Sequence, residues 1–423
     1  MMLDTLVTME DTQFLKALVA YCPEAVLLAG EAESSPEGSQ RLKETALAYQ
    51  VFEPSIRIHE TAIEADRTFL GLKLFKAAHQ GDREKFPHLS DQNWRKLSHL
   101  TQEIVASDDD LDVILYALIA QDIGKTKALS ELYKDVFGVY AEDHDRLLHE
   151  LTRKKSELFK GFLDLSPDNQ KAYLEGLESD MNLGQFVQGE NLPCNIIKML
   201  HHTDDRAKRI RLLTELYDFA GVTGHINHHV SLTMNDHNYK AYNHVIQLML
   251  AGNGDVLSLY QAYMQERLDH VGISSTRADW FALARITALS RSFDVEKGQE
   301  ILSVWQELPQ LYKEILIKEL LLCGLSHDEP TACLIYYAPA LIVNSIHAHE
   351  EFNAGLRNAL CVLAEIYKKA RTEIDISGVN KDFLTVHINQ VARYAREHKI
   401  IHENELELKQ EENSYIITIK KGV

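Results

Sequence analysis

The sequence predicts an all-α protein with strand character only at its C-terminal end. Three observations carry this. Apolar residues return at intervals of three and four in one segment after another, as a helix with one buried face requires. Helix-boundary residues punctuate those segments at fitting places. Apolar–polar alternation, the period of a strand, is scarce until "ELELKQ" at 405–410 and "SYIITIKK" at 414–421, which flank a polar turn and predict a terminal β-hairpin.

Taken in order, residues 1–60 hold an N-terminal helix followed by "GEAESSPEGSQ", whose Gly, Ser, Pro and Glu content reads as an exposed linker. Residues 61–250 form a helical domain with most of the histidines, built on "NWRKLSHLTQEIVA", "DVILYALIA", "RLLHELTRKKSELFKGFLDL" and "KRIRLLTELYDFAG". Within it, Ser166 is placed to cap a helix whose first turn carries Pro167. The stretch "GNGD" at 252–255 breaks one helix and offers Asp255 as the cap of the next, which opens a C-terminal helical domain over 251–423. That domain is a series of amphipathic helices poor in catalytic residue types, as expected of a bundle or an interaction platform. No repeat at solenoid periods is present.

A chain of 423 residues that is 45% hydrophobic has ample material for a large core. Its net charge of −19 argues against nucleic acid and anionic membranes as main partners, and the clearest basic patch, "RAKRIR" at 206–211, is short. Five cysteines without a C-x-x-C pair suggest neither a disulfide framework nor a zinc knuckle, and point to a reducing compartment. "MMLDTLVTMEDTQFLK" has acidic residues where an export signal would be basic, and no apolar run spans a bilayer, so a soluble cytoplasmic protein is expected.

Seven of the twenty histidines lie between 201 and 244 (His201, His202, His225, His228, His229, His237 and His244). Imidazole is the commonest transition-metal ligand, although a spacing such as "HINHH" also arises on solvated helix faces. Chain order carries more information than the cluster. His99 lies within a helical pattern, with His88 as its competitor. Then come Gln121-Asp122 at a helix end, His144, His201-His202 and Asp218.

This order resembles the HD-domain superfamily of metal-dependent phosphohydrolases, across about residues 85–245. "LYALIAQDIGKTKAL" is similar to that family's apolar helix ending in His-Asp-Ile-Gly-Lys, and "TELYDFAG" to its helix bearing the last Asp ligand. The resemblance implies an HD-like helical bundle and one or two divalent metals (Mg, Mn, Fe or Zn). Their ligands would come from His99, Gln121, Asp122, His144, His201, His202 and Asp218. Asp122 and Lys125 are the implied catalytic pair, with the metals lowering the pKa of a bound water and Lys125 facing the phosphate. Gly124 is expected to let the chain leave the helix sharply. The sequence departs from the family at its defining letter: Gln121 stands where the family has the His of the His-Asp pair.

Two readings follow. One is a divergent metal-dependent phosphohydrolase acting on a nucleotide or another small phosphorylated molecule. The other, favoured by Gln121, is a catalytically silent HD-like helical scaffold that binds a protein partner through its C-terminal helices. A third reading makes "HINHH" itself a separate metal site with Asp236 or His237. The literal His327-Asp328 pair reads as a helix terminus, because Glu-Pro follows it.

Overall fold

A computed structural model describes residues 6–29, 63–374 apart from 142, 180, 253–254 and 326–329, and then 383–411 and 414–420. The linker at 30–40 and the His327-Asp328 pair lie outside the described residues. The chain is mostly helical, with one small sheet near its C-terminus. It divides into two units. The first holds residues 1–183 and 198–250, and the second holds 184–197 and 251–423. The sequence reading gave 184–197 to the middle domain, whereas here it goes with the C-terminal unit.

The longer helices of the first unit are α1 (Asp11–Tyr21), α2 (Ile63–Gln80), α3 (Asp91–Ile104), α4 (Asp108–Ala120), α5 (Lys127–Phe137), α6 (His144–Lys154), α7 (Pro167–Glu178), α8 (Asp205–Gly221) and α9 (Asp236–Ala251). Their starts follow local chemistry. The hydroxyls of Ser90, Ser107 and Ser166 and the carboxylate of Asp143 accept amides of the first turns of α3, α4, α7 and α6. Each cap contributes roughly 1 kcal/mol. Helix α4 is buried nearly all round, from Leu111 to Ala120 with only Asp112 less covered, and so forms the core of the unit. Helix α8 packs on α2, α4 and α7.

The α2–α8 contact is close because it lacks side chains. A Cβ on Gly71 would lie 2.8 Å from the Tyr217 carbonyl oxygen, and one on Gly221 or Gly224 would run into the backbone of Arg67 or Asp66. Glycine is required here by proximity, not by backbone conformation.

The second unit holds α10 (Val256–His270), α11 (Trp280–Leu289), α12 (Val295–Glu307), α13 (Gln310–Leu321), β1 (Ala332–Tyr336), α14 (Ala338–Ala348), α15 (Phe352–Glu373), β2 (Phe383–His387), α16 (Asn389–Glu397), β3 (Leu406–Glu411) and β4 (Ser414–Ile419). Asp255 caps α10, as its position after the glycines predicts. Strands β3 and β4 form the expected antiparallel hairpin. Two strands that periodicity did not reveal extend it into a sheet of order β1-β2-β4-β3, with β1 parallel to β2 and β2 parallel to β4.

Segment 184–197 acts as a strap in this unit, held by side chains of its helices. Arg285 donates to the Gly189 carbonyl at 3.0 and 3.2 Å, and the Tyr260 and Tyr263 hydroxyls donate to the carbonyls of Asn191 and Val187. The Glu190 carboxylate accepts the Tyr337 amide. Such partners are what a buried irregular segment needs, since each unpaired backbone group would cost about 1–3 kcal/mol.

Candidate functional site

The functional candidate of the first unit forms where the long apolar helix α4 runs out. Gln121 and Asp122 continue the helical turn, and Ile123–Lys125 close it as a short 3-10 turn before α5 begins. Gly124 does not provide the sharp left-handed exit expected for it, since its φ lies outside the left-handed region. Its function is steric: a Cβ there would lie 2.5 Å from the His144 carbonyl oxygen and 2.9 Å from Leu148. Glycine thus lets the turn sit directly on the start of α6.

This packing brings Asp122, Lys125 and His144 together, and α8 brings Asp218. The Lys125 ammonium lies 2.5 Å from Asp122 Oδ1 and 3.1 Å from Oε2 of Glu64, a residue of α2 that the sequence reading missed. Burial would raise the Asp122 pKa, but the Lys125 ammonium and the His144 imidazole outweigh it and hold the carboxyl below its usual range. Burial likewise opposes the charge on Lys125, yet Asp122, Asp218 and Glu64 together raise its pKa. Asp218 goes the other way: burial, then the neighbouring Asp122 charge, push its carboxyl well above its ordinary value. One ammonium and the carboxyl groups of Asp122, Glu64 and Asp218 thus make the cluster.

A second ionic group lies alongside. The Arg211 guanidinium reaches Asp145 Oδ2 at 2.5 Å and Glu215 Oε1 at 2.7 Å, and donates to the Met181 carbonyl. Burial and the Asp145 charge raise the Glu215 pKa against the pull of Arg211. Asp122 Oδ2 and Asp145 Oδ1 are buried without a hydrogen-bond partner among the described residues. Gln121 is turned to a separate small cavity lined also by Tyr173, Arg211 and Thr214.

The remaining residues expected at a metal are elsewhere. His99, its competitor His88, and His201 and His202 are all exposed. His99 falls on the outer face of α3, whose buried face is Asn93, Trp94, Leu97, Leu100, Thr101 and Ile104. The expected "HINHH" partner Asp236 is engaged in accepting the Ser90 amide and hydroxyl and the Asn93 side-chain amide, capping α3 from a distance. The "RAKRIR" patch is largely paired: Arg206 with Asp110 at 2.8 Å, Lys208 with Asp205, and Arg211 as above.

Among the described residues, no three His, Cys, Asp or Glu side chains are disposed to hold one metal ion. Of the expected ligands, Asp122, His144 and Asp218 are gathered, but the Lys125 ammonium already lies 2.5 Å from Asp122, and His99, His201 and His202 are at the surface. The side chains brought together here fall short of a divalent metal's donor set among the described residues. A cavity of about 560 Å³ opens at the N-terminal ends of α4, α7 and α8. Asp109, Asp110, Asp168 and Asp204 line it together with Arg206, Arg209 and Lys171.

A family model described as a family of unknown function, DUF6829, matches residues 51–402, most of the chain. The chain belongs to that family. No curated protein and no solved structure matches it. The DUF6829 match covers most of both units, including every residue of the Lys125 cluster and the strap.

Proposed function

We propose that this DUF6829 chain is a catalytically silent, HD-like helical scaffold whose former metal position is filled by its own lysine, and that it binds a protein partner through its C-terminal helices. The observation that carries the first half is the Lys125 ammonium, 2.5 Å from Asp122 and 3.1 Å from Glu64. An ammonium in that place neutralises the buried carboxylates without a metal and leaves no open coordination position at which a water could be activated. Gln121 agrees with this, since a neutral amide is a poor substitute on a transition metal for the imidazole that the HD pattern places there. The acidic chain, with 63 acidic against 44 basic residues, favours a basic partner. Leu311, Leu321 and Leu325, exposed on and just after α13, supply apolar contact area.

The competing reading, a metal-dependent phosphohydrolase, draws support from the gathering of Asp122, His144 and Asp218 at one point. A small phosphorylated substrate would need cations not already engaged, and Arg206 and Arg211 are both engaged. The test is elemental analysis of the full chain purified without chelator, with a phosphoester panel assayed in Mg²⁺, Mn²⁺, Fe²⁺ and Zn²⁺. Absence of bound metal and of turnover is expected. A stoichiometric metal together with turnover lost in Asp122→Asn would overturn the proposal. For the partner, Leu311→Asp/Leu321→Asp is expected to abolish an association that Lys125→Ala leaves intact.

A further inference from the structure

The strap of the second unit carries one feature unrelated to the Lys125 cluster. Cys194, near its end, donates its backbone N–H to the carbonyl of Cys323, two residues beyond α13, at 3.2 Å. That distance, one N–Cα bond and the roughly 2.4 Å from a carbonyl oxygen to its own Cα cap the Cα separation at about 7 Å, and any bend at either atom shortens it. Disulfides form with Cα atoms up to about 7 Å apart, most often near 5.5–6 Å.

The side chains share a neighbourhood as well. Cys194 belongs to a buried cluster with Leu192, Leu322, Ala332 and Leu334. Burial raises the pKa of the Tyr260 phenol, and although Arg285 opposes it, the thiols of Cys323 and Cys194 both add to the rise, so both lie within electrostatic reach of the same phenol oxygen. Each of these cysteines is 8% exposed, against 0% for Cys22 and 1% for Cys333. Burial pushes the Cys333 thiol up to about 12 and the Cys22 thiol well above its usual value, so both are held as unreactive thiols.

We propose that Cys194 and Cys323 are a redox-modification site: a dithiol that closes to a disulfide by exchange with a low-molecular-weight disulfide and so fastens the strap to the end of α13. In the first step one thiolate attacks the small disulfide, giving a mixed disulfide and one small thiolate. In the second, the other cysteine's thiolate attacks the protein-bound sulfur and expels the second small thiolate. Two protein thiols and one small disulfide become one protein disulfide and two small thiols. The strap, otherwise held by the hydrogen bonds of Arg285, Tyr260, Tyr263 and Tyr337, gains a covalent tie.

The experiment uses the intact chain in its native state. It is incubated with oxidised glutathione, quenched in acid, alkylated in denaturant and mapped without reduction. The expected result is loss of two of the five thiols, a peptide joining Cys194 to Cys323, no glutathione retained on either, and a melting temperature raised by several degrees. In Cys323→Ser, a glutathione adduct is expected to accumulate on Cys194 with no rise in melting temperature. Five intact thiols after incubation, a link between any other pair, or glutathione retained on Cys194 or Cys323 of the wild-type chain would overturn the proposal; an adduct on the half-exposed Cys361 is counted separately by its peptide. These readouts on the wild-type protein stand whether or not the variant folds.

Discussion

At the scale of single residues, the proposal rests on Lys125, whose ammonium lies against Asp122 and Glu64 where an HD-type site would hold its metal. Lys125 is itself a third exposed and offsets the buried Asp122, 2% exposed, and the half-buried Glu64, 17% exposed, so the cost of losing it follows mainly from Asp122. Breaking a fully buried pair costs about 3–5 kcal/mol and breaking an exposed one about 1 kcal/mol or less. With Asp122 buried and Lys125 a third exposed, Lys125→Met is expected to lower stability to urea by an intermediate amount, about 1–3 kcal/mol. The double variant Lys125→Met/Asp122→Asn should recover part of the loss, a coupling that a double-mutant cycle measures. Gly124→Ala brings a methyl against the His144 carbonyl and should cost about 1–3 kcal/mol in the same assay. Some of the cluster was legible in the sequence. Asp122, Lys125, His144 and Asp218 stand in an order that a site would use, and Arg211 and Glu215 are four apart on one helix. Glu64 was not, because it is a lone glutamate 61 positions from Lys125 on a helix without a motif. The exposure of His99 was legible in principle: Leu97, Leu100 and Ile104 mark the buried face, and position 99 falls outside it.

At the scale of elements, backbone proximity and buried acids set the sensitivities. Gly221→Ala should force α2 and α8 apart and cost about 1–3 kcal/mol, visible as a lower urea midpoint with an unchanged slope. The strap predicts a pH dependence. Burial pushes the Glu190 carboxyl up to about 7 from its ordinary 4.5, against the hydrogen bond from the Tyr337 amide and the charge of Arg291. The folded state thus binds this proton more tightly than the unfolded state. Its contribution is fully present below about pH 4.5, is lost as pH rises through 7, and amounts to roughly 3 kcal/mol. Calorimetry of the full chain should show the melting of the second unit declining over that window, and Glu190→Gln should flatten the decline. The caps Ser166 and Asp255 and the β3–β4 hairpin were readable because each rests on local chemistry. Strand β1 was not: "ACLIY" is an apolar run without alternation, and a buried parallel strand has no period to tell it from a buried helix. Strand β2, "FLTVH", alternates in burial, but over five residues that is too short a stretch to stand out.

At the scale of the whole molecule, the chain is a member of DUF6829 with two helical units, the second carrying a four-stranded sheet. Among the described residues, no helix is long and apolar enough to cross a membrane. The crossing of 184–197 into the second unit could not be read from sequence, because its anchors Tyr260, Tyr263, Arg285 and Tyr337 lie 69 to 147 residues from their acceptors and a carbonyl acceptor leaves no mark on residue type. The central claim is that Lys125 has replaced a metal. The most direct test is the melting temperature of the wild-type chain and of Lys125→Ala, with and without Mn²⁺. No Mn²⁺-dependent shift is predicted for the wild type, and a rise is predicted for Lys125→Ala, whose carboxylates are then open to a cation. A Mn²⁺-dependent rise in the wild type that Asp122→Asn abolishes would contradict the account.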